Sequence, residues 1–524
     1  METMERNYNI VFVTPEMMIP ELEEPACEAN FRGGLGILSG DIMEGLTKRG
    51  INAKAIVPFY DLNWVTREKI NYDKTSAQFL FELSPQINGR RDSINIWKIN
   101  RAGTELFGLH CPDILNVLYT ADRWQRLRQE VLIGHTVPAL LKKLEIRPDI
   151  VWLQEGHTAT VIPAMKEDSY FNGEKFLFTT HTSCPEGMEK FYGGWVNELG
   201  IKEKYHHNIF IRNGLIDMTW AAMSLADGVT AVSDEHCEVT KRMFPDFAGK
   251  VVGIRNGLSR DLWLSPRIKM IENNFNPYNL WEAQQADKKE FIDFIERKTR
   301  IKFNSRKPLL GWVRRIAWYK NQYPMLVPVI RAICAERGEF VDTDYGRLEG
   351  LGIQVFSAGR AHESDAQCLG WMAEFERWMS DPHLAGKFIF RPEYNLELLK
   401  NSARGCDIWF NCPLLGWEAC GASDQRAAEN GRINLTPRTG GAREYIEEFN
   451  PATGKGNGFF LEPYHPITIY NKLKTVSDLY YAWIEKGKDL WLKLCMGAFE
   501  SGKSLDIVDM IAKYEQIFEK LLKK

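Results

Sequence analysis

Short apolar, β-branched runs recur along this chain, each closed by a glycine or polar turn and followed by a stretch with helical spacing. That alternation narrows the possible folds more than any other feature. Strand, turn and helix in succession call for parallel strands, joined by crossovers that lay helices on the faces of a sheet. In the first half the runs fall at 10–13, 150–153, 176–180, 228–232 and 251–254, with another after the glycine-rich FRGGLGILSGD helix. Residues 75–120 instead alternate apolar and polar positions (FLFEL, INIWKI, LFGLH), which predicts hairpin strands within the sheet or at its edge. A second series follows 306: LLGWV, IQVFSAG, KFIFR, DIWFNC and INLTP, five strand candidates alternating with helices.

A chain of 524 residues is too long for one core. The expected α/β organisation is a doubly wound domain over 1–258, a charged helical linker over 259–306, a second doubly wound domain over 307–480, and covering helices over 481–524. The net charge of −3 argues against general nucleic-acid binding. The N-terminus sets charges before only a short apolar run, so neither a signal peptide nor a membrane span is expected and the chain reads as cytoplasmic. Ten cysteines without a CxxC pair suit reduced, buried thiols. Sixteen tryptophans and eighteen tyrosines suit carbohydrate binding as well as a large core. Homo-oligomerisation is left open.

In doubly wound sheets ligands sit at the carboxyl ends of strands, where Glu155, His157, His181 and Asn256 fall. Arg314, Arg315 and Lys320 directly follow LLGWV, and three cations at a strand end call for an anion or for paired carboxylates. The stretch 411–445 reads as strand, turn, glycine break, helix, short strand and second glycine break. Glu418 stands just ahead of the helix start, where it can accept hydrogen bonds from ligand hydroxyls or simply complement the helix dipole. Gly421 and Gly440-Gly441 would let backbone approach a ligand, and the helix beginning at Ala422 offers free N–H groups to an anion. His206 and His207 diverge by about 100° on a helix and lack an acidic partner at ligand spacing, so no metal is expected.

These motifs, in this order, resemble the retaining GT-B glycosyltransferases, in particular the α-glucan phosphorylases and the glycogen and starch synthases. The similarity runs over nearly the whole chain. It implies two Rossmann-like domains with an inter-domain cleft and C-terminal covering helices. GGLGILSGD resembles the glycine loop whose amides face the donor, which points to Gly33 and Gly34. LQEGHTA resembles the shared histidine motif at His157, and FTTHTSCPEGMEKF the segment whose histidine supports the reacting sugar, His181. GIRNG, with Asn256, resembles the segment closing the first domain. RRIAWYKN is similar to the phosphate clamp, with Arg315 and Lys320 gripping the donor phosphate beside Arg314. EACGASDQRAAENG fits both families, with Glu418 as sugar-hydroxyl binder and Tyr394 lining the donor pocket.

One departure separates the two families. Phosphorylases carry pyridoxal phosphate on a lysine of this helix, and the matching residue here is Arg426. No lysine occurs from Asp407 to Tyr445, and a guanidinium does not supply the amine for such a Schiff base. The resemblance therefore implies no cofactor, and a nucleoside-diphosphate sugar delivering a glucosyl unit to an α-glucan or related acceptor. The leaving phosphate would deprotonate the acceptor. Phosphorolysis and a non-catalytic glucan-binding role stand as the alternatives.

Overall fold

The computed structural model describes residues 8–523, so the first seven residues of the N-terminal reading lie outside the described residues. The chain forms two compact units, one of residues 1–259 with 507–524 and the other of residues 260–506.

The first unit is built on a nine-stranded sheet: β1 (Asn9–Val13), β2 (Asn52–Pro58), β3 (Gln78–Leu83), β4 (Ile94–Arg101), β5 (Thr104–His110), β6 (Ile150–Gln154), β7 (Lys175–Thr180), β8 (Gly228–Ala231) and β9 (Val251–Gly253). Their spatial order is β9-β8-β7-β6-β1-β2-β5-β4-β3. The chain winds outward from β1 in one direction and then from β6 in the other, which makes the carboxyl ends of β1 and β6 the switch point. Only β5–β4 and β4–β3 pair antiparallel, so the 75–120 segment forms the sheet edge.

The centre of this unit is aromatic. Phe12 and Trp152 are register partners on β1 and β6, their rings edge to face at 5.2 Å. The buried indole N–H of Trp152 donates to Thr179 Oγ1 at 2.8 Å, which removes the cost of an unpaired donor. Tyr514, from the helix Ile507–Leu522, lies 4.3 Å from the same indole. That helix also packs on α1 (Gly34–Lys48), where Gly45 permits the approach: a Cβ there would stand 2.7 Å from Ile511 Cγ1. A long helix, α2 (Arg123–Lys143), is capped by Asp122, whose carboxylate accepts from the Trp124 and Gln125 amides.

The second unit has six parallel strands: β10 (Leu309–Val313), β11 (Gln354–Ala358), β12 (Phe388–Arg391), β13 (Ile408–Phe410), β14 (Ile433–Thr436) and β15 (Gly458–Phe460). Their order is β12-β11-β10-β13-β14-β15. β15 was not among the five candidates, because three residues, GFF, are too short to show a period.

Residues 259–306 are divided differently from a linker. Ser259 ends the first unit, and α3 (Pro277–Thr299) is integral to the second. The charges that suggest a solvated helix include Lys288, which is fully buried. Its Nζ pairs with Asp407 Oδ2 at 2.5 Å and donates to the Lys307 carbonyl and the Tyr480 hydroxyl. The terminal helices also separate: Leu490–Lys503 belongs to the second unit and Ile507–Leu522 to the first. No helix among the described residues is long and apolar enough to cross a membrane.

Candidate functional site

In the second unit β10 delivers Arg314 at its carboxyl end. The loop after β11 closes over it at Gly359, where a Cβ would lie 2.0 Å from the Arg314 carbonyl oxygen. The Arg314 guanidinium donates to Asn411 Oδ1 and to Glu418 Oε2, each at 2.8 Å. Lys320 Nζ donates to the same carboxylate oxygen. Burial opposes the charge on Glu418, but Lys320 and Arg314 outweigh it and hold the carboxyl down at about 2. Burial, then the charge of Arg314, brings Lys320 down to about 7 against the pull of Glu418, and Arg315 acts in the same sense.

The pair on Glu418 is thus Arg314 and Lys320, whereas the motif singles out Arg315 and Lys320. Arg315 is half-buried beside them. The helix α4 (Ala422–Glu429) begins next to this cluster with Gly421 at its N-cap, and within its first turn the Asp424 carboxylate accepts from its own backbone N–H. Asp424 in its first turn accepts from the Tyr445 hydroxyl at 2.7 Å, and burial raises it to about 6. The space left by the two glycine breaks is taken by the chain itself. A Cβ at Gly421 would meet Asp424 Oδ1 at 2.4 Å; one at Gly440, whose φ is +59°, would meet the Glu418 carbonyl at 2.5 Å. Gly421 and Gly440 thus let the chain pack tightly around the Glu418 loop and the start of α4. Tyr394 is buried just ahead of the helix Leu396–Gly405, which Asn395 caps.

Arg426 is buried, with its guanidinium carbon 4.7 Å from the centroid of the Trp263 ring. The position that bears the lysine in phosphorylases is therefore filled by a planar cation packed on the chain's own indole, and it does not fit pyridoxal phosphate as a Schiff base.

The first unit holds a second cluster. Glu155, at the end of β6, has φ +60°, and its carboxylate accepts from the His181 amide at 2.8 Å and Thr182 Oγ1 at 2.7 Å. Burial lifts its pKa to about 7 despite these donors. His181 Nε2 donates to Gln154 Oε1 at 2.8 Å, and burial lowers the ring's pKa to about 3, so it is a neutral imidazole with Nδ1 as its acceptor. His157 lies among Arg126, Glu130 and Glu189. Burial brings it down to about 4.

Glu130, His157 and Glu189 have metal-like proximity, with ligand atoms all within 4.8 Å of one another. Arg126 already serves this group: its guanidinium donates to Glu189 and to His157 Nε2, and stacks over Tyr119. Burial and the neighbouring Glu189 charge raise Glu130 well above the carboxylate range, which keeps it neutral. His206, the other metal candidate, is spent on the Ile201 carbonyl.

Gly33 is extended at the N-cap of α1, no side chain caps the helix, and a Cβ on Gly34 would face open space. This is a surface at which backbone can meet a ligand. Asn256 is buried after β9, its amide donating to the Val232 carbonyl.

Residues 9–250 match the family described as the starch synthase catalytic domain. The maltodextrin phosphorylase of Thermococcus litoralis is 26% identical over 86% of this chain and 63% of its own length, so the chain spans less than two thirds of that relative. The glycogen synthase of Streptococcus agalactiae is 22% identical over 93% of this chain and 96% of its own. The catalytic domain of starch synthase IV from Arabidopsis thaliana, solved bound to ADP and acarbose, matches with a TM-score of 0.78 at 17% identity, over 99% of this chain and 100% of that one. The chain has a GT-B-like fold and is distantly similar to the starch and glycogen synthases and to the glycogen phosphorylases.

Within this GT-B frame the glycine loop, the two histidine motifs and the Glu418 loop were readable as motifs. Asn411, Asp424, Tyr445, Gln154, Arg126, Glu130 and Glu189 join these clusters only in the folded chain. Glu189 had a signal, since it lies within the PEGMEKF part of the His181 motif. Arg126 and Glu130 had none, because one polar face of a long helix looks like any other.

Proposed function

We propose that this chain is a retaining glucosyltransferase that moves a glucosyl unit from a nucleoside-diphosphate sugar to the 4-OH of an α-glucan. The observation that carries this reading is the Arg426–Trp263 stack, where a pyridoxal enzyme needs an amine. Arg315 and Lys320 neutralise the departing diphosphate, with Arg314 behind them. Glu418 accepts from the sugar hydroxyls while Arg314 keeps it ionised. The neutral His181 offers Nδ1 to the sugar, its orientation set by Gln154. The leaving phosphate takes the acceptor proton, so no protein base is assigned.

Thermal-shift measurements with ADP, UDP, GDP and pyridoxal phosphate test the reading, since a ligand of the native state raises the melting temperature. At least one nucleoside diphosphate is expected to stabilise; a response to pyridoxal phosphate alone would overturn the proposal. Arg315→Ala is expected to lower turnover by about 100-fold, the usual effect of losing a transition-state charge partner. A phosphorylase is the second reading, favoured by the 26% identity to a maltodextrin phosphorylase against 22% to a glycogen synthase. Phosphate-dependent release of glucose 1-phosphate from glycogen would select it.

A further inference from the structure

Glu16 follows β1 and His157 follows β6, the two strand ends that meet at the switch point of the first sheet. Glu16 is 2% exposed, and a carboxyl so deeply buried needs donors of its own. It has two, from different parts of the chain. Oε2 accepts from the backbone N–H of Arg32, directly ahead of Gly33-Gly34, at 2.6 Å. Oε1 accepts from the Tyr119 hydroxyl at 2.8 Å. Gly36 leaves room for the first contact, since a Cβ there would stand 2.9 Å from Oε2. The main chain is fixed as well. Thr14 Oγ1 donates to the Glu16 carbonyl, and the Met17 and Met18 amides donate to the carbonyls of Asn30 and Gly36, on either side of the glycine loop.

Tyr119 carries the connection onward. Its φ of +55° is a left-handed conformation that costs a tyrosine free energy and persists only where the surroundings determine it. Beyond the hydroxyl bond to Glu16, its ring lies 4.9 Å from the Arg126 guanidinium carbon and 5.5 Å from the His157 ring. Burial, then the Glu16 charge, raises the phenol well above its usual range, so it is the donor in that bond. Arg126 in turn donates to His157 Nε2 at 3.1 Å and to Glu189. From the Arg32 amide to the imidazole, every step is a hydrogen bond or a ring contact.

We propose that Glu16 is a positioning residue for the transfer: it holds the glycine loop, where backbone can meet the donor, at a fixed distance from the His157 group. It touches no reacting atom itself. Its part in transfer rests on the proposed function; the link between loop and histidine rests on the contacts alone. Loop and histidine stand on different elements, and a misplacement of about 1 Å between groups that must act together can cost about 100-fold in rate.

Kinetics of three variants test this, with nucleotide-sugar donors for transfer and with glycogen and phosphate for phosphorolysis. Glu16→Ala should lower kcat by about 100-fold with little change in KM, the pattern of lost transition-state geometry. Glu16→Gln, whose amide can still accept from the Arg32 N–H and meet the Tyr119 oxygen, should recover most of that loss. Tyr119→Phe keeps its ring beneath Arg126 but loses the bond to Glu16, so it should lower kcat, and combined with Glu16→Ala it should cost nothing further. A glutamine variant as impaired as the alanine one, multiplying losses in the double variant, or full kcat in Tyr119→Phe would each overturn the proposal. Should Glu16→Ala fail to fold, Glu16→Gln and Tyr119→Phe still decide it. The link is also read without turnover. Hydrogen exchange across Arg32–Gly36 and the imidazole nitrogen resonances of His157 should both change in Glu16→Ala and neither in Glu16→Gln; an unmoved His157 signal in Glu16→Ala would overturn the link. If neither nucleotide sugars nor phosphate support turnover, the proposed function fails while these two signals still decide the link.

Discussion

At Glu418 two buried cations meet one carboxylate oxygen, and the consequences are measurable. Glu418→Gln leaves Arg314 and Lys320 buried without a counter-charge, and the expected loss is about 3 kcal/mol in urea denaturation. The wild-type contribution of Glu418 is complete above the ordinary carboxyl value of 4.5 and is lost as pH falls toward about 2. Glu155 works in the opposite sense. Burial raises its folded pKa from 4.5 to about 7, so its ionisation costs stability progressively over that window as pH rises. Glu155→Gln should therefore gain stability relative to wild type between pH 5 and pH 8, measured by paired denaturation curves; a constant difference would contradict the burial. Burial and the charge of Arg314 bring Lys320 down to about 7 against the pull of Glu418. A bound diphosphate would raise its pKa, so calorimetry in buffers of different ionisation enthalpy should show net proton uptake, absent in Lys320→Met.

Among the elements, strands with a clear apolar run were readable and those without were not. β1, β6 and β7 announce themselves through consecutive buried residues; β15 has three residues and no period. α3 shows how charge misleads, because Lys288 is inside and neutralised by a residue more than a hundred positions away. The contact between α1 and the helix Ile507–Leu522 depends on Gly45. Gly45→Val should destabilise the first unit by about 2 kcal/mol through overpacking against Ile511, read as a lowered unfolding midpoint.

For the molecule as a whole, the return of the last helix to the first unit sets how it unfolds. A chain ending at Asp506 loses Tyr514 and Phe518 from the face of Trp152. Calorimetry should then show the first unit's transition lowered or missing while that of the second, 260–506, persists. The alternation of strands and helices, the glycine loop before α1 and the missing lysine from Asp407 to Tyr445 are properties of the sequence by itself, because periodicity and residue type are local. The tertiary structure decided which arginine reaches Glu418, 104 positions from it. It also decided that Arg126 occupies the Glu130–His157–Glu189 group. Such pairings depend on where distant strand ends and helix faces converge, and no local period records that convergence.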